Sequence, residues 1–364
     1  MKVLLVGDYP PPSGGIAIHV EQLHRFLSGR GVQTRVLDIG KGGRPAPNVI
    51  PVRTRRAFAL RLLQFAARGW VLHLHVTADN PTSWLLIAFV IAVGKVFGRL
   101  PLVTLHSGLV PRYLADSARR RAFARVLLAQ CCRSIVVSHE IAAALQLAGV
   151  PPLLVEVLPA FLGSQLKPGQ PPNDFGLVRA SFQPLLALAD HPSTIYGRRV
   201  AFQALRVIAR DLPRAGLALF GPGPRSHAVE TEALAEGVRA RVHDFGELDH
   251  SAALGLMSRC DAFLRPTIVD GDSVSVREAL CLGIPCIASD AAIRPQGTVV
   301  FRSEDSKDLA KKVIRCLESP SARPRALDVG PALLEEYERA WARRRPRLFG
   351  RENIGRENLE LGPR

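Results

Sequence analysis

Asp270 and Glu278 stand eight residues apart in IVDGDSVSVREALCLGIPCIASD, residues 268–290. The segment reads as a strand end, an acidic glycine-containing loop, a helix and then a buried strand. Gly271, Asp272, Ser273 and Val274 run into the helix start. There, backbone N–H groups and the positive end of the helix dipole can meet an anion. Glu278 can offer a carboxylate to nearby hydroxyls. These features suit a pyrophosphate flanked by two polyhydroxylated rings. A purely structural reading stands beside this one. Ser275-Val276-Arg277-Glu278 fits a capping box, with Ser275 as N-cap and Glu278 reaching back to its N–H, and Asp270 and Asp272 are ordinary turn formers.

Three further loops carry residues suited to such a ligand. In GDYPPPSGGIAIHVEQL, residues 7–23, Gly14 and Gly15 open a helix and let a ligand approach the backbone closely; a tight strand-to-helix turn would use the same glycines. His19 lies inside that helix, as packing or on the surface. In VTLHSG, residues 103–108, His106 ends a buried strand. It could donate to a sugar hydroxyl or a developing charge, or be a satisfied core histidine. In LALFGPGPRS, residues 217–226, Gly221 and Gly223 follow a strand, but the third glycine of a dinucleotide fingerprint is missing. His73 and His75 alternate on one strand without a third metal ligand at a telling spacing, which favours structural roles.

The elements that must position these residues alternate in type. Apolar strands are expected near 2–8, 33–38, 70–76, 101–106, 134–138 and 153–158. A second set is expected near 184–189, 216–220, 241–245, 261–265, 285–289 and 298–302. Helical patterns lie between them, including one over 112–131. This alternation predicts an α/β protein with parallel sheets. The stretch 166–174 reads as a linker. The expected organisation is a Rossmann-like domain over 1–165, a second over 175–330, a helix over 331–345 packing back on the first domain, and a basic tail over 346–364. Ligands of such sheets bind at the carboxyl ends of the strands, so two facing sheets make a central cleft. Every motif above falls just after an expected strand.

The chain has 364 residues and a net charge of +16. Residues 1–160 hold 19 Lys and Arg against 7 Asp and Glu, so most of the excess lies there. An anionic partner follows from this balance. Residues 53–70 carry five arginines and no acid, and 112–133 adds Arg119, Arg120, Arg121 and Arg125. Such helices suit anionic lipid or are simply solvated faces. Nucleic acid is disfavoured, because aromatics make up only 6% of residues and no recognition motif interleaves them with the arginines. The six cysteines form no C-x-x-C pair and read as buried thiols in a reducing compartment, without zinc. The longest apolar run, residues 84–93, falls short of the roughly 20 residues that span a bilayer. A cytoplasmic protein, held peripherally at the inner face of the membrane, is expected.

Taken together, the motifs resemble the GT-B glycosyltransferases of family 4, a retaining family, over about residues 2–345. The loop at Gly14 and Gly15 is similar to the family's N-terminal glycine loop. His106 matches its strand-end histidine, and Gly221 and Gly223 its glycines in the second domain. RPTIVDGDSVSVREALCLGIPCIASD resembles its carboxylate motif. The resemblance implies that Glu278 bonds ribose hydroxyls and that Asp270 stands beside the transferred sugar, where the family usually has glutamate. Backbone N–H groups of Asp272, Ser273 and Val274 would hold sugar or pyrophosphate. The family also carries an arginine and a lysine for the donor diphosphate. Here His191 falls at the arginine position and Tyr196 at the lysine position, with Arg198 or Arg199 as substitutes.

The resulting expectation is a GT-B hexosyltransferase needing neither cofactor nor metal. It would move a sugar from an NDP-sugar donor to a glycan or lipid-linked acceptor, with His106, Asp270 and Glu278 as catalytic residues. The altered pair at 191 and 196 motivates a different reading, a non-catalytic relative acting as a binding or regulatory subunit. A sugar-nucleotide epimerase on the same architecture is a third.

Overall fold

The computed structural model describes residues 1–12, 14–42, 46–222, 227–318 and 329–343. Gly223 and the 346–364 tail lie outside the described residues. Among those described, thirteen strands form two sheets. The first sheet holds β1 (Lys2–Gly7), β2 (Gln33–Asp38), β3 (Val49–Pro51), β4 (Val71–Val76), β5 (Leu102–Leu105), β6 (Arg133–Val136) and β7 (Val155–Val157). The second holds β8 (Leu185–Ala189), β9 (Gly216–Phe220), β10 (Val242–Asp244), β11 (Ala262–Arg265), β12 (Cys286–Ser289) and β13 (Val299–Phe301). All pairings within these sheets are parallel.

Parallel strands covered on both faces read as unbroken apolar runs, and KVLLVG shows how one is used. Leu4 and Val6 face one core, under the helices Arg55–Ala67, Pro81–Val96 and Ala118–Leu128. Val3 and Leu5 face the other, against the helices Gly15–Gly29 and Gly330–Ala342. The second sheet repeats the pattern. Leu186 and Leu188 pack on the helices Arg198–Asp211 and Ser306–Glu318. Leu185 and Ala187 pack on Phe175–Ser181, His250–Met257 and Val274–Cys281.

The strand order is β3-β2-β1-β4-β5-β6-β7 in the first sheet and β10-β9-β8-β11-β12-β13 in the second. The order reverses between β1 and β4 and between β8 and β11. Such reversals open a crevice at the carboxyl ends of the strands. Both crevices face the same cleft.

Three features differ from the sequence pattern. The single helix expected over 112–131 is two, Val110–Ala115 and Ala118–Leu128. Arg120 donates to the Tyr113 carbonyl and Arg121 to those of Leu114 and Ala115, so side chains satisfy the end of the first helix. The edge strand β3 and the short helix Phe175–Ser181 were absent from the expected elements. Each is too short to show a period.

Candidate functional site

The cleft holds a cavity of about 370 Å³ lined from both sheets. Gly14 and Gly15 enter after β1, Thr77 after β4, and His106 and Ser107 after β5. From the second sheet come Asp190 and His191 after β8, Gly221 after β9, and Asp270, Gly271, Asp272, Ser273 and Val274 after β11. Glu278 reaches in from the next helix.

The two sides touch directly. A Cβ placed on Gly108 would sit 2.1 Å from the Asp270 carbonyl oxygen, so only glycine lets these backbones meet. Gly14 and Gly15 show the converse: among the described residues, a Cβ on either would meet nothing within 4 Å beyond its own chain neighbours and helix backbone. Packing within the chain does not require their smallness, and they leave the N-terminus of the helix Gly15–Gly29 open to the cavity.

Asp270 is locked in place. Arg265 engages both its oxygens, Nε to Oδ2 at 3.1 Å and Nη2 to Oδ1 at 3.2 Å. Arg294 Nη1 lies 2.8 Å from Oδ2, and Thr267 Oγ1 donates at 3.0 Å. Burial alone would raise its pKa, but the two guanidinium groups outweigh that and hold it at about 2. Asp270 is therefore a fixed anion, able to orient a ligand but not to exchange protons near neutrality. Asp272 is gripped by Arg277 Nε, at 2.6 Å from Oδ1.

Glu278 is 5% exposed yet lines the cavity. Its Oε1 lies 2.6 Å from His250 Nε2. This overturns the capping-box reading. The helix starts at Val274 with Ser273 as N-cap and no side-chain cap, and Ser275 Oγ lies 3.2 Å from Ser273 Oγ instead. The helix His250–Met257 is itself capped by Asp249, whose Oδ1 accepts from Ala252 N at 2.8 Å, and this fixes where His250 stands. Burial disfavours the His250 cation, but the bond and charge of Glu278 prevail and raise its pKa.

His106 stands at the cleft face of a histidine cluster. Its Nε2 lies 3.2 Å from His75 Nδ1, and the His19 ring is 5.5 Å away between centroids. Burial, then the neighbouring His19 and His73, push its pKa well below 6.5, so it is a neutral hydrogen-bonding group. His73 is wholly buried between the Tyr337 hydroxyl at 2.5 Å and the Thr104 hydroxyl at 2.7 Å.

Arg198 and Arg199, expected to bind the donor, do not line the cavity. Arg198 is held by Asp190 at 2.7 Å and Glu232 at 2.8 Å, and Arg199 pairs with Glu236 at 3.0 Å while 72% exposed. The cleft position belongs to Tyr196, in the turn before the helix. At the start of the helix that follows, Arg198 and Arg199 turn instead to Glu232 and Glu236. Sequence reasoning also missed Arg265, Arg294 and His250. The one local signal was Arg265, a charge closing the apolar strand AFLR just before the acidic loop.

The paired domains, with a cleft between two parallel sheets, form the GT-B fold. Residues 188–319 match the family described as Glycosyl transferases group 1. No curated protein shows significant sequence similarity to the chain. Among solved structures, Anabaena HepE in complex with UDP-glucose superposes with a TM-score of 0.67 at 17% identity, covering 93% of this chain and 95% of that one. Sucrose-phosphate synthase from Thermosynechococcus elongatus gives 0.61 at 19% identity, covering 95% of each chain. A putative UDP-N-acetylglucosamine 2-epimerase from Listeria monocytogenes gives 0.60 at 15% identity, covering 95% of this chain and 92% of that one.

Proposed function

We propose that this protein is a retaining, metal-independent glycosyltransferase that moves a hexose from an NDP-sugar to an acceptor. One observation carries the reading: His106 of the first sheet and Asp270, Ser273, Val274 and Glu278 of the second line a single cavity. Glu278, held by His250, is placed to accept from ribose hydroxyls. The open helix start at Gly15 and the N–H groups at Ser273 and Val274 supply donors for anionic oxygens. Neutral His106 donates to the sugar, and Asp270 orients it. The donor phosphate takes the acceptor's proton on the same face, so the protein needs only to stabilise charge and hold geometry. The donor set fits metal independence: both oxygens of Asp270 and of Asp272, and one oxygen each of Asp190 and Glu278, are engaged by Arg or His.

The acceptor side is read as a glycan or lipid-linked glycan at an anionic membrane surface on the cytoplasmic side. The helices Arg55–Ala67, Pro81–Val96 and Ala118–Leu128 pack side by side on one face of the first sheet. They carry eight Arg and Lys and no acid. Leu60, Leu63, Leu85, Phe89, Phe123 and Val126 are exposed on them. Among the described residues no helix is long and apolar enough to cross a membrane.

A screen of NDP-sugars by thermal shift, followed by NDP release with and without acceptor, tests the reading. A donor should raise the melting temperature, and Glu278→Ala should abolish turnover. The His191 and Tyr196 rings, stacked 4.6 Å apart at the positions of the family's arginine and lysine, favour a second reading as a non-catalytic binding subunit. Absence of binding to any NDP or NDP-sugar would support that alternative. Epimerised donor appearing without acceptor would support a 2-epimerase instead.

A further inference from the structure

Among the described residues lining the cavity, Arg265 is the only lysine or arginine. It closes β11, and its side chain is 11% exposed. Its surroundings hold it rigidly. Asp270 engages Nε and Nη2, and the guanidinium carbon lies over the Tyr196 ring at 4.8 Å from the centroid. Tyr196 in turn stacks on His191. An arginine fixed on an aromatic face presents a planar fork that suits phosphate oxygens.

The charge around it is not balanced. Asp270 is shared with Arg294, whose side chain is 2% exposed and sits away from the cavity lining. Two guanidinium groups and one carboxylate leave a net positive charge nearly out of water, and such a charge calls for an anionic partner. Of the nearby carboxylates, Asp190 is taken by Arg198, Asp272 by Arg277 and Glu278 by His250. Arg265 lines the same cavity as Gly14 and Gly15 at the open helix start.

We propose that Arg265, braced on Tyr196 and by Asp270, is the ligand for the donor diphosphate. It takes over the charge that the family resemblance puts at positions 191 and 196. This rests on the NDP-sugar reading and names the residue that discriminates a diphosphate from a monophosphate.

The test is calorimetric titration of the full chain with UDP, UMP, GDP and GMP. The proteins compared are wild type, Arg265→Met, Arg265→Lys and the double variant Tyr196→Lys with Arg265→Met. For whichever base binds, Arg265→Met should reduce diphosphate affinity by about tenfold or more, since charge-assisted bonds are the strong ones. Monophosphate affinity should change much less. Arg265→Lys should be intermediate, and Tyr196→Lys should restore part of the loss by returning a cation to the same wall. Arg265→Met binding the diphosphate as tightly as wild type would overturn the proposal and leave the glycosyltransferase reading standing. Equal loss of both nucleotides, without rescue by Tyr196→Lys, would assign Arg265 a structural role only. Wild type binding none of the four would remove the donor reading itself, and this proposal with it.

Discussion

His250 and Glu278 form a hydrogen-bonded pair of 2.6 Å at the wall of the cleft, joining two helices whose starts lie 24 residues apart. With His250 protonated the bond is charge-assisted, and it holds the Glu278 carboxylate in one orientation. The His250 pKa is raised, so the charged pair is complete below an ordinary histidine pKa and is lost as pH climbs through the raised value. The NDP-sugar KM of the wild type should therefore rise as pH climbs through that raised value, while kcat holds. In His250→Gln, which keeps a donor but cannot titrate, KM should be flat over the same range. Steady-state kinetics from pH 6 to 9, as an approximate working range around the histidine pKa, would decide it. Parallel KM profiles in the two proteins would rule out a positioning role for His250.

The histidines of the first domain predict the opposite slope on the acid side. Burial holds His19 at about 4 and His73 at about 3, and keeps His75 and His106 well below 6.5. These groups stay neutral in the folded chain while unfolded histidines protonate near 6.5. The unfolded state then binds more protons, and stability falls as pH drops below that value. The slope is about 1.4 kcal/mol per pH unit for each histidine that remains neutral. Asp270, at about 2, adds no slope until pH nears the carboxylate range. Urea unfolding at pH 7 and pH 5 should show a loss larger than one histidine can supply. Identical stability at the two values would contradict this.

Much of this architecture is legible in the chain because parallel strands buried on both faces must be unbroken apolar runs, as KVLLVG and LALF are. His106 and Asp270 could be singled out because each lies just past such a run, and Glu278 because it stands on the helix that follows. The partners that define their chemistry could not. Arg294 reaches Asp270 only because β11 and β12 lie side by side, with Arg265 opposite Ala288 in register. The S-x-x-E pattern at Ser275 satisfies a local rule for helix starts. His250, brought in by tertiary packing, offers Glu278 a stronger partner than the backbone does. Arg198 looked suited to a phosphate until the fold placed Asp190 and Glu232 around it.

Gly108 carries a prediction about how the domains meet. A methyl group there would lie 2.1 Å from the Asp270 carbonyl oxygen and 2.8 Å from Gly271 N. Both obstacles are backbone, so no side chain can swing aside to relieve the clash. Gly108→Ala should push the acidic loop away from His106 while leaving both cores intact. A displacement of about 1 Å at a reacting centre costs on the order of 100-fold in rate, and kcat/KM should fall by that order. Thermal unfolding should move little. Wild-type kcat/KM in this variant would show that the contact has no part in assembling the site.

The exposed face of the first domain makes the last prediction. Its three helices set apolar tips among cations, and Leu85 on the middle helix is 65% exposed. Apolar side chains alone would bind neutral and anionic bilayers alike. Arginines near a charged bilayer add about 1 kcal/mol each, and salt screens that part over a Debye length of about 8 Å at physiological ionic strength. Co-sedimentation with vesicles should therefore rise with the fraction of anionic lipid and fall as salt is added. Leu85→Asp combined with Phe123→Asp places acids at two exposed positions, so folding is spared while pelleting with anionic vesicles should drop by about tenfold or more, given the cost of burying a charge in lipid. Turnover on a soluble acceptor should persist in that variant, separating the membrane face from the cleft. Equal pelleting with neutral vesicles would remove the role of the cations, and pelleting with no vesicle would make these helices an ordinary solvated surface.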